Sequence, residues 1–370
     1  MKIAIMTVIN TPNYGAVLQA YALQQKIESY GISCDIINYY NTFQEQKFSF
    51  MGRPKGMSFS YYLCKKVLFP YRKKQMNTIL RFQNNNLHMT KCIKESEELE
   101  KLSEEYDSFI CGSDQIWNNE NINNYNPAYF LSFAGERRKI AYAPSFAKEY
   151  ESLSQTDIDF YKKWLPNIDY LSVREESGIE IVERIIESTP QVVCDPVFLI
   201  GRQKWEKVCE IEKPENKKYI FIFLLGNTTN FEMNKKIVRE AKTVAKKRGL
   251  QVKLLVMGLT SLLFHSIKTP TVESWLALIR DSEIVYTNSF HGAVFSIIFK
   301  KVFYSCIDDN LKAKENTRVF NLLHRLGLED RLVKVSEKIE YDDDKLIYDA
   351  EKERQMIDVS EKYLKTALCI

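Results

Sequence analysis

Short apolar runs that each end in a polar, turn-rich cluster recur along this 370-residue chain, and no other feature narrows the fold as much. Phe109-Ile110-Cys111 runs into Gly112-Ser113-Asp114-Gln115-Ile116-Trp117-Asn118, and residues 139–146 leave through Pro144 and Ser145. Tyr170-Leu171-Ser172-Val173 leads to Arg174-Glu175-Glu176, and Val192-Val193-Cys194 leads to Asp195-Pro196. Runs that are apolar throughout, rather than alternating, suit strands covered on both faces of a parallel sheet. Open α/β sheets bind ligands just beyond the carboxyl ends of such strands. The recurrence therefore predicts one sheet whose polar exits line one edge.

The chain begins in the same style. Residues 2–8 read as a strand and Asn10-Thr11-Pro12-Asn13-Tyr14-Gly15 as a loop. Residues 16–30 carry Val17, Ala20, Tyr21, Leu23 and Ile27 at helical spacing, and residues 34–40 read as a second strand. This unit lacks a GxGxxG fingerprint, so a nicotinamide cofactor is not indicated. Residues 41–105 break the rhythm with mixed basic and aromatic side chains and predict an inserted, mostly helical segment. That segment could touch a lipid-linked substrate or the membrane surface, or simply form a solvated basic face.

A polar stretch over residues 206–218 reads as a linker, after which a second series starts afresh. Strands are expected over 219–225, 252–257, 284–286 and 302–306, with helices over 233–248, 275–280 and 318–326. The resulting boundaries are 1–205 for one Rossmann-like domain, 219–345 for another, and 346–370 for a helix that packs back on the first. The fold class expected is α/β, with two Rossmann-like domains facing across a cleft.

Within the second series, Thr287-Asn288-Ser289-Phe290-His291-Gly292 sits where an apolar strand turns into an apolar helix. Helix starts favour bound anions, and His291 adds a side chain that exchanges protons near neutral pH. The histidine could equally cap or pack under that helix. Arg174 and Arg318 are candidate anion anchors, because a guanidinium binds phosphate or carboxylate in two-pronged fashion. Asp114 or Asp195 could act as base toward a hydroxyl and His291 as acid. Against this, Asp195-Pro196 is a common turn pair, and Arg174 could pair with Glu175 or Glu176.

Composition sets milder bounds. A net charge of +4 argues against a nucleic-acid partner while suiting anionic substrates. The eight cysteines show no CxxC spacing and several lie in strand-like runs, which points to buried thiols in a reducing compartment and not to zinc. No signal peptide or membrane-length apolar run is read, so the expected location is cytoplasmic, with peripheral contact at the inner face of the membrane.

The chain also resembles a known family. Asn13-Tyr14-Gly15-Ala16-Val17-Leu18-Gln19-Ala20-Tyr21-Ala22-Leu23 looks like the start of the polysaccharide pyruvyl transferase family. So do residues 111–118, Ala141-Tyr142-Ala143-Pro144-Ser145-Phe146, Ser172-Val173-Arg174-Glu175, Cys194-Asp195-Pro196, Ser289-Phe290-His291-Gly292 and residues 318–331. These matches appear in family order over most of residues 1–335, whereas residues 41–105 and those beyond 335 carry little of the likeness. The resemblance implies two Rossmann-like domains arranged as in GT-B glycosyltransferases. It further implies transfer of pyruvate from phosphoenolpyruvate to a sugar as a ketal, in surface polysaccharide biosynthesis, without metal or cofactor. The acceptor would be a sugar nucleotide or a lipid-linked glycan.

On that likeness His291 is the acid or phosphate partner and Asp114 the acceptor-side base. Arg318, Ser289, Phe290, Gly292 and Arg174 fall on the phosphoenolpyruvate side; Asn13, Tyr14, Gly15, Gln115, Trp117 and Asp195 fall on the acceptor side. Many members carry an arginine where this chain has Ser289, and its anchoring role would pass to Arg318. Two alternatives remain at this stage: a GT-B glycosyltransferase using a nucleotide sugar, and a non-catalytic glycan- or phosphate-binding member of a polysaccharide assembly complex.

Overall fold

The computed structural model describes residues 1–40, 59–120, 124–210, 212, 217–226, 230–307, 316–334 and 349–370. Two compact units emerge: Met1–Gly52 with Ile79–Ile200 and Glu353–Ile370, and Arg53–Thr78 with Gly201–Lys352.

In the first unit, β1 (Lys2–Met6), β2 (Ser33–Ile36), β3 (Ser108–Cys111) and β4 (Arg138–Ala141) form a parallel sheet in the order β2-β1-β3-β4. Helix α1 (Tyr14–Glu28) links β1 to β2, with Asn13 accepting from the Gly15 N–H at its start. The helix is buried from Tyr14 through Gln24, so its glutamines must find partners inside. Gln19 donates to Thr7 Oγ1, and Gln24 to the carbonyls of Cys34 and His88.

Strands β5 (Ser172–Val173) and β6 (Gln191–Val192) pair with each other and form a separate two-stranded sheet, where the sequence predicts one continuous sheet. A single bridge, Ile140 to Tyr170, ties them to β4. Beyond it the Ser172 hydroxyl donates to the Ala141 carbonyl at 2.6 Å and accepts from the Ala143 N–H at 3.0 Å. A side chain thus replaces the backbone ladder, and regular pairing stops.

The segment 41–105 departs from its expected place. Residues 41–58 lie outside the described residues, and Phe59–Asn86 forms one helix, α2, with Pro70 inside it. Its earlier part belongs to the second unit, because the Tyr71 hydroxyl donates to the Val256 carbonyl at 3.1 Å. Its later part belongs to the first, where Phe82 meets Tyr21 edge-on and Gln83 donates to the Ile9 carbonyl. Helix α3 (Gln155–Trp164) opens on a capping box between Ser154 and Asp157.

The second unit is another parallel sheet. Strands β7 (Tyr219–Gly226), β8 (Gln251–Gly258), β9 (Ile284–Thr287), β10 (Val302–Ile307) and β11 (Leu332–Lys334) lie in the order β11-β10-β9-β7-β8. The expected linker over 206–218 begins inside a helix, α4 (Gly201–Cys209). Its polar exterior hides two buried side chains, Trp205 and Cys209, of which Trp205 packs edge-on against Phe295 at 5.0 Å. Helix α5 (Phe231–Arg248) covers one sheet face with Ile237, Ala241 and Val244. On the other face Phe223 and Phe295 meet Trp275 of α6 (Val272–Arg280). Helices α7 (Phe290–Ile298) and α8 (Asn316–Leu326) complete the unit.

The final helix, α9 (Ala350–Leu368), packs in the first unit from Glu353 onward. Ser360 Oγ accepts from the Cys194 N–H at 2.8 Å, the Tyr363 hydroxyl donates to the Ala141 carbonyl at 2.8 Å, and Lys26 pairs with Glu361. Among the described residues no helix is long and apolar enough to cross a membrane.

Candidate active site

Two groups of polar residues gather at carboxyl ends of strands, one in each unit. In the second unit, β9 ends at Thr287 and α7 starts at Phe290, so the connection is only two residues long. Thr287 Oγ1 accepts from the Ser289 N–H at 3.0 Å, and Ser289 Oγ accepts from the Gly292 N–H at 3.4 Å as the helix cap. Ser289 therefore serves the turn at the position where an arginine was expected from the family likeness. Asn288 holds the neighbouring strand end: its amide donates to Leu225 O and Asn234 Oδ1, and its carbonyl accepts from the Leu225 N–H. Nothing in the residue types ahead of Ser289 signalled that role for Asn288.

Gly292 is required by close packing. A Cβ there would stand 2.3 Å from Thr287 Oγ1, 3.0 Å from Thr287 Cβ and 3.2 Å from Phe223 Cδ1. Gly292→Ala is expected to lower the unfolding free energy by about 1–3 kcal/mol, as overpacking does. Urea denaturation reads this directly, and adding Thr287→Ala should recover part of the loss.

His291 follows the cap and is 6% exposed, with its ring edge-on to Phe290 at 5.3 Å between centroids. The Arg318 guanidinium, from the first turn of α8, lies 5.9 Å from the same Phe290 ring. Phe290 thus stands in contact range of both residues expected to handle the anion. His291, Ser289, Phe290, Gly292 and Arg318 are brought together.

In the first unit the exits of β3 and β4 meet the segments after β5 and β6. Arg174 Nη1 binds Asp195 Oδ2 at 2.9 Å, and its Nε lies 3.7 Å from Glu175 Oε2. Ser113 Oγ donates to Asp195 Oδ2, while Ser145 Oγ donates to Glu175 Oε1 at 2.6 Å. Burial alone would lower the Arg174 pKa, but Asp195 first, then Glu175 and Asp114, hold it above its ordinary value. Thr7 and Gln19 brace the same edge, with Thr7 Oγ1 donating to the Ser113 carbonyl and accepting from Gln19.

The backbone here is strained as well. Asp114 has φ 73°, Ala143 φ 53° and Ala147 φ 50°, all left-handed and none of them glycine. Such conformations cost on the order of 1–3 kcal/mol each and collect at functional sites. Surrounding bonds hold them: the Ser145 N–H donates to the Asp114 carbonyl, and the Ala147 N–H to Ser145 Oγ and Glu175 Oε1. Ser113, Ser145 and Glu175 are site residues that residue type alone did not single out, although each lies inside a strand-exit run.

Several expected assignments change. Trp117 is wholly buried, stacks on Phe130 at 5.2 Å and 7°, and donates to the Tyr129 carbonyl, so it is a core residue and not an acceptor contact. Tyr14 and Gly15 are buried inside α1, which leaves Asn13 exposed at its cap and Gln115 partly exposed. Arg174 belongs with Asp114 and Asp195 in the first unit, and not with His291 in the second. Binding an anion there would require it to exchange a buried carboxylate for the ligand.

Known proteins place this geometry in context. The S. aureus MnaA–UDP co-structure superposes over 98% of this chain and 87% of its own, at 8% identity and TM-score 0.51. Methanocaldococcus jannaschii UDP-GlcNAc 2-epimerase, solved with UDP-GlcNAc and UDP, covers 98% and 93% at 15% identity and TM-score 0.48. The first likeness shows the fold alone, an α/β architecture of the GT-B kind with parallel sheets. No curated protein matches the chain. The model of one family, described as polysaccharide pyruvyl transferase, matches residues 13–310, a span that begins at the α1 cap, includes Arg174, Asp195 and His291, reaches past β10 and stops short of Arg318. With four-fifths of its length inside that match, the chain belongs to the polysaccharide pyruvyl transferase family.

Proposed function

We propose that the protein transfers pyruvate from phosphoenolpyruvate to two hydroxyls of a sugar, forming a cyclic ketal and releasing phosphate. Family membership supports the reaction class, and one observation carries the assignment of the donor: His291 and Arg318 flank Phe290 at the start of α7. Phosphoenolpyruvate is a compact polyanion, suited to a helix N-terminus together with a guanidinium. His291 protonates the methylene carbon, which makes the adjacent carbon electrophilic. A sugar hydroxyl adds to that carbon and loses its proton to solvent. A second hydroxyl then displaces the phosphate and closes the ring, its proton leaving with the phosphate. The acceptor is a sugar nucleotide or a lipid-linked glycan.

Incubation with phosphoenolpyruvate and a panel of both acceptor types should release phosphate and yield a product heavier by the pyruvate ketal in mass spectrometry. Arg318→Ala should raise KM for phosphoenolpyruvate by about 10- to 100-fold, the loss expected for hydrogen bonds to a charged group. Binding of nucleoside diphosphates with none for phosphoenolpyruvate, measured by calorimetry, would overturn the donor assignment in favour of sugar transfer.

A further inference from the structure

We propose that α2 docks the protein on an anionic lipid surface. The helix contains Lys65, Lys66, Arg72, Lys73, Lys74 and Arg81 and has neither Asp nor Glu. It therefore holds more positive charge than the net +4 of the whole chain. An ordinary solvated helix interleaves both signs along its surface.

The burial pattern gives this charge a direction. Gln75, Ile79, Phe82 and Gln83 are buried, while Lys66, Lys73, Lys74 and Arg81 are exposed at spacings that return to the opposite face. Beside these cations, Val67 is 64%, Phe69 37% and Leu80 38% exposed. Exposed apolar side chains beside a run of cations are what a helix needs to lie in the headgroup region: the cations are drawn to anionic lipids, and the apolar groups enter the acyl boundary. A nucleic acid would use the cations but offers nothing to Val67 and Leu80. The lipid surface is thus the occupant that matches both halves of the face. This inference is independent of which donor the enzyme uses, and it places the protein where a lipid-linked acceptor is presented.

The test is flotation of the full chain with phosphatidylcholine vesicles, with and without about 30% phosphatidylglycerol. Binding is expected only to the anionic vesicles, with loss at about 0.5 M salt. Lys73→Gln with Lys74→Gln should weaken partitioning by about 30-fold, two cations' share. Val67→Ser should weaken it by about 10-fold without changing the salt dependence. All of these positions are exposed, and an unchanged thermal unfolding midpoint verifies folding in each variant. Equal binding to both vesicle types, or none to the anionic ones, overturns the proposal. So does binding to duplex DNA that matches the anionic vesicles and ignores Val67→Ser.

Discussion

Replacing His291 with alanine is expected to cut phosphate release from phosphoenolpyruvate by about 10²- to 10⁴-fold, the usual contribution of a positioned proton donor. The expectation follows from where the residue sits. His291 is nearly buried at the first turn of α7, beside Phe290 and behind a Ser289 cap, so its ring is held by packing. A donor held this way delivers its proton without first being ordered. The effect should fall on kcat, with KM for phosphoenolpyruvate changed much less, and Arg318→Ala should show the opposite split. A His291→Ala enzyme that keeps its full rate would remove the histidine from the mechanism while leaving family membership untouched.

The second large effect concerns stability. Lys148 has a fully buried side chain, with Nζ 3.1 Å from Asp157 Oδ2 and 3.0 Å from Glu120 Oε1. Asp157 is equally buried and also accepts from Asn119 and Ser154 at the cap of α3. Lys148→Met should destabilise the protein by about 3–5 kcal/mol, because it leaves a buried carboxylate without its cation. Adding Asp157→Asn should recover much of the loss, since the pair acts as a unit. Both would be read as shifts in the midpoint of urea unfolding.

The same pair sets a pH window. Burial works to raise the Asp157 pKa, but hydrogen bonds from Asn119 and Ser154, together with Lys148, bring it below its ordinary value. Its stabilisation is therefore complete above about pH 4 and is lost as the pH falls through the depressed pKa. For Lys148 burial acts downward, yet Glu120 and Asp157 raise the pKa above its usual value. That contribution is present below about pH 10 and disappears as the pH climbs through the raised pKa. In the Lys148→Met protein the acid-side decline should be shallower than in the parent.

Much of the architecture was legible because apolar runs and turn residues mark parallel strands without help from distant contacts. Phe109–Cys111 and Ile284–Tyr286 are strands, and the turn before His291 lies where the residues placed it. What failed depended on single side chains acting at a distance. Trp117 has the composition of a sugar platform, and only the stacked Phe130 reveals it as core. Residues 206–209 look like linker because the two buried side chains of α4, Trp205 and Cys209, are surrounded by charge. The break between β4 and β5 rests on the Ser172 hydroxyl, and the left-handed backbone at Asp114 on bonds from Ser145. Neither leaves a pattern in neighbouring residues.

The last helix gives the protein an order of assembly. The first unit draws on Met1–Gly52 and Ile79–Ile200 but also on Glu353–Ile370, whose Ser360 and Tyr363 bond to Cys194 and Ala141 beside the Arg174–Asp195 pair. A ribosome releases those residues after all of the second unit. The second unit, nearly contiguous in sequence, is ready to fold while the first still waits for its closing strap. A nascent chain paused before Glu353 should therefore carry a protease-resistant second unit and a protease-sensitive first one.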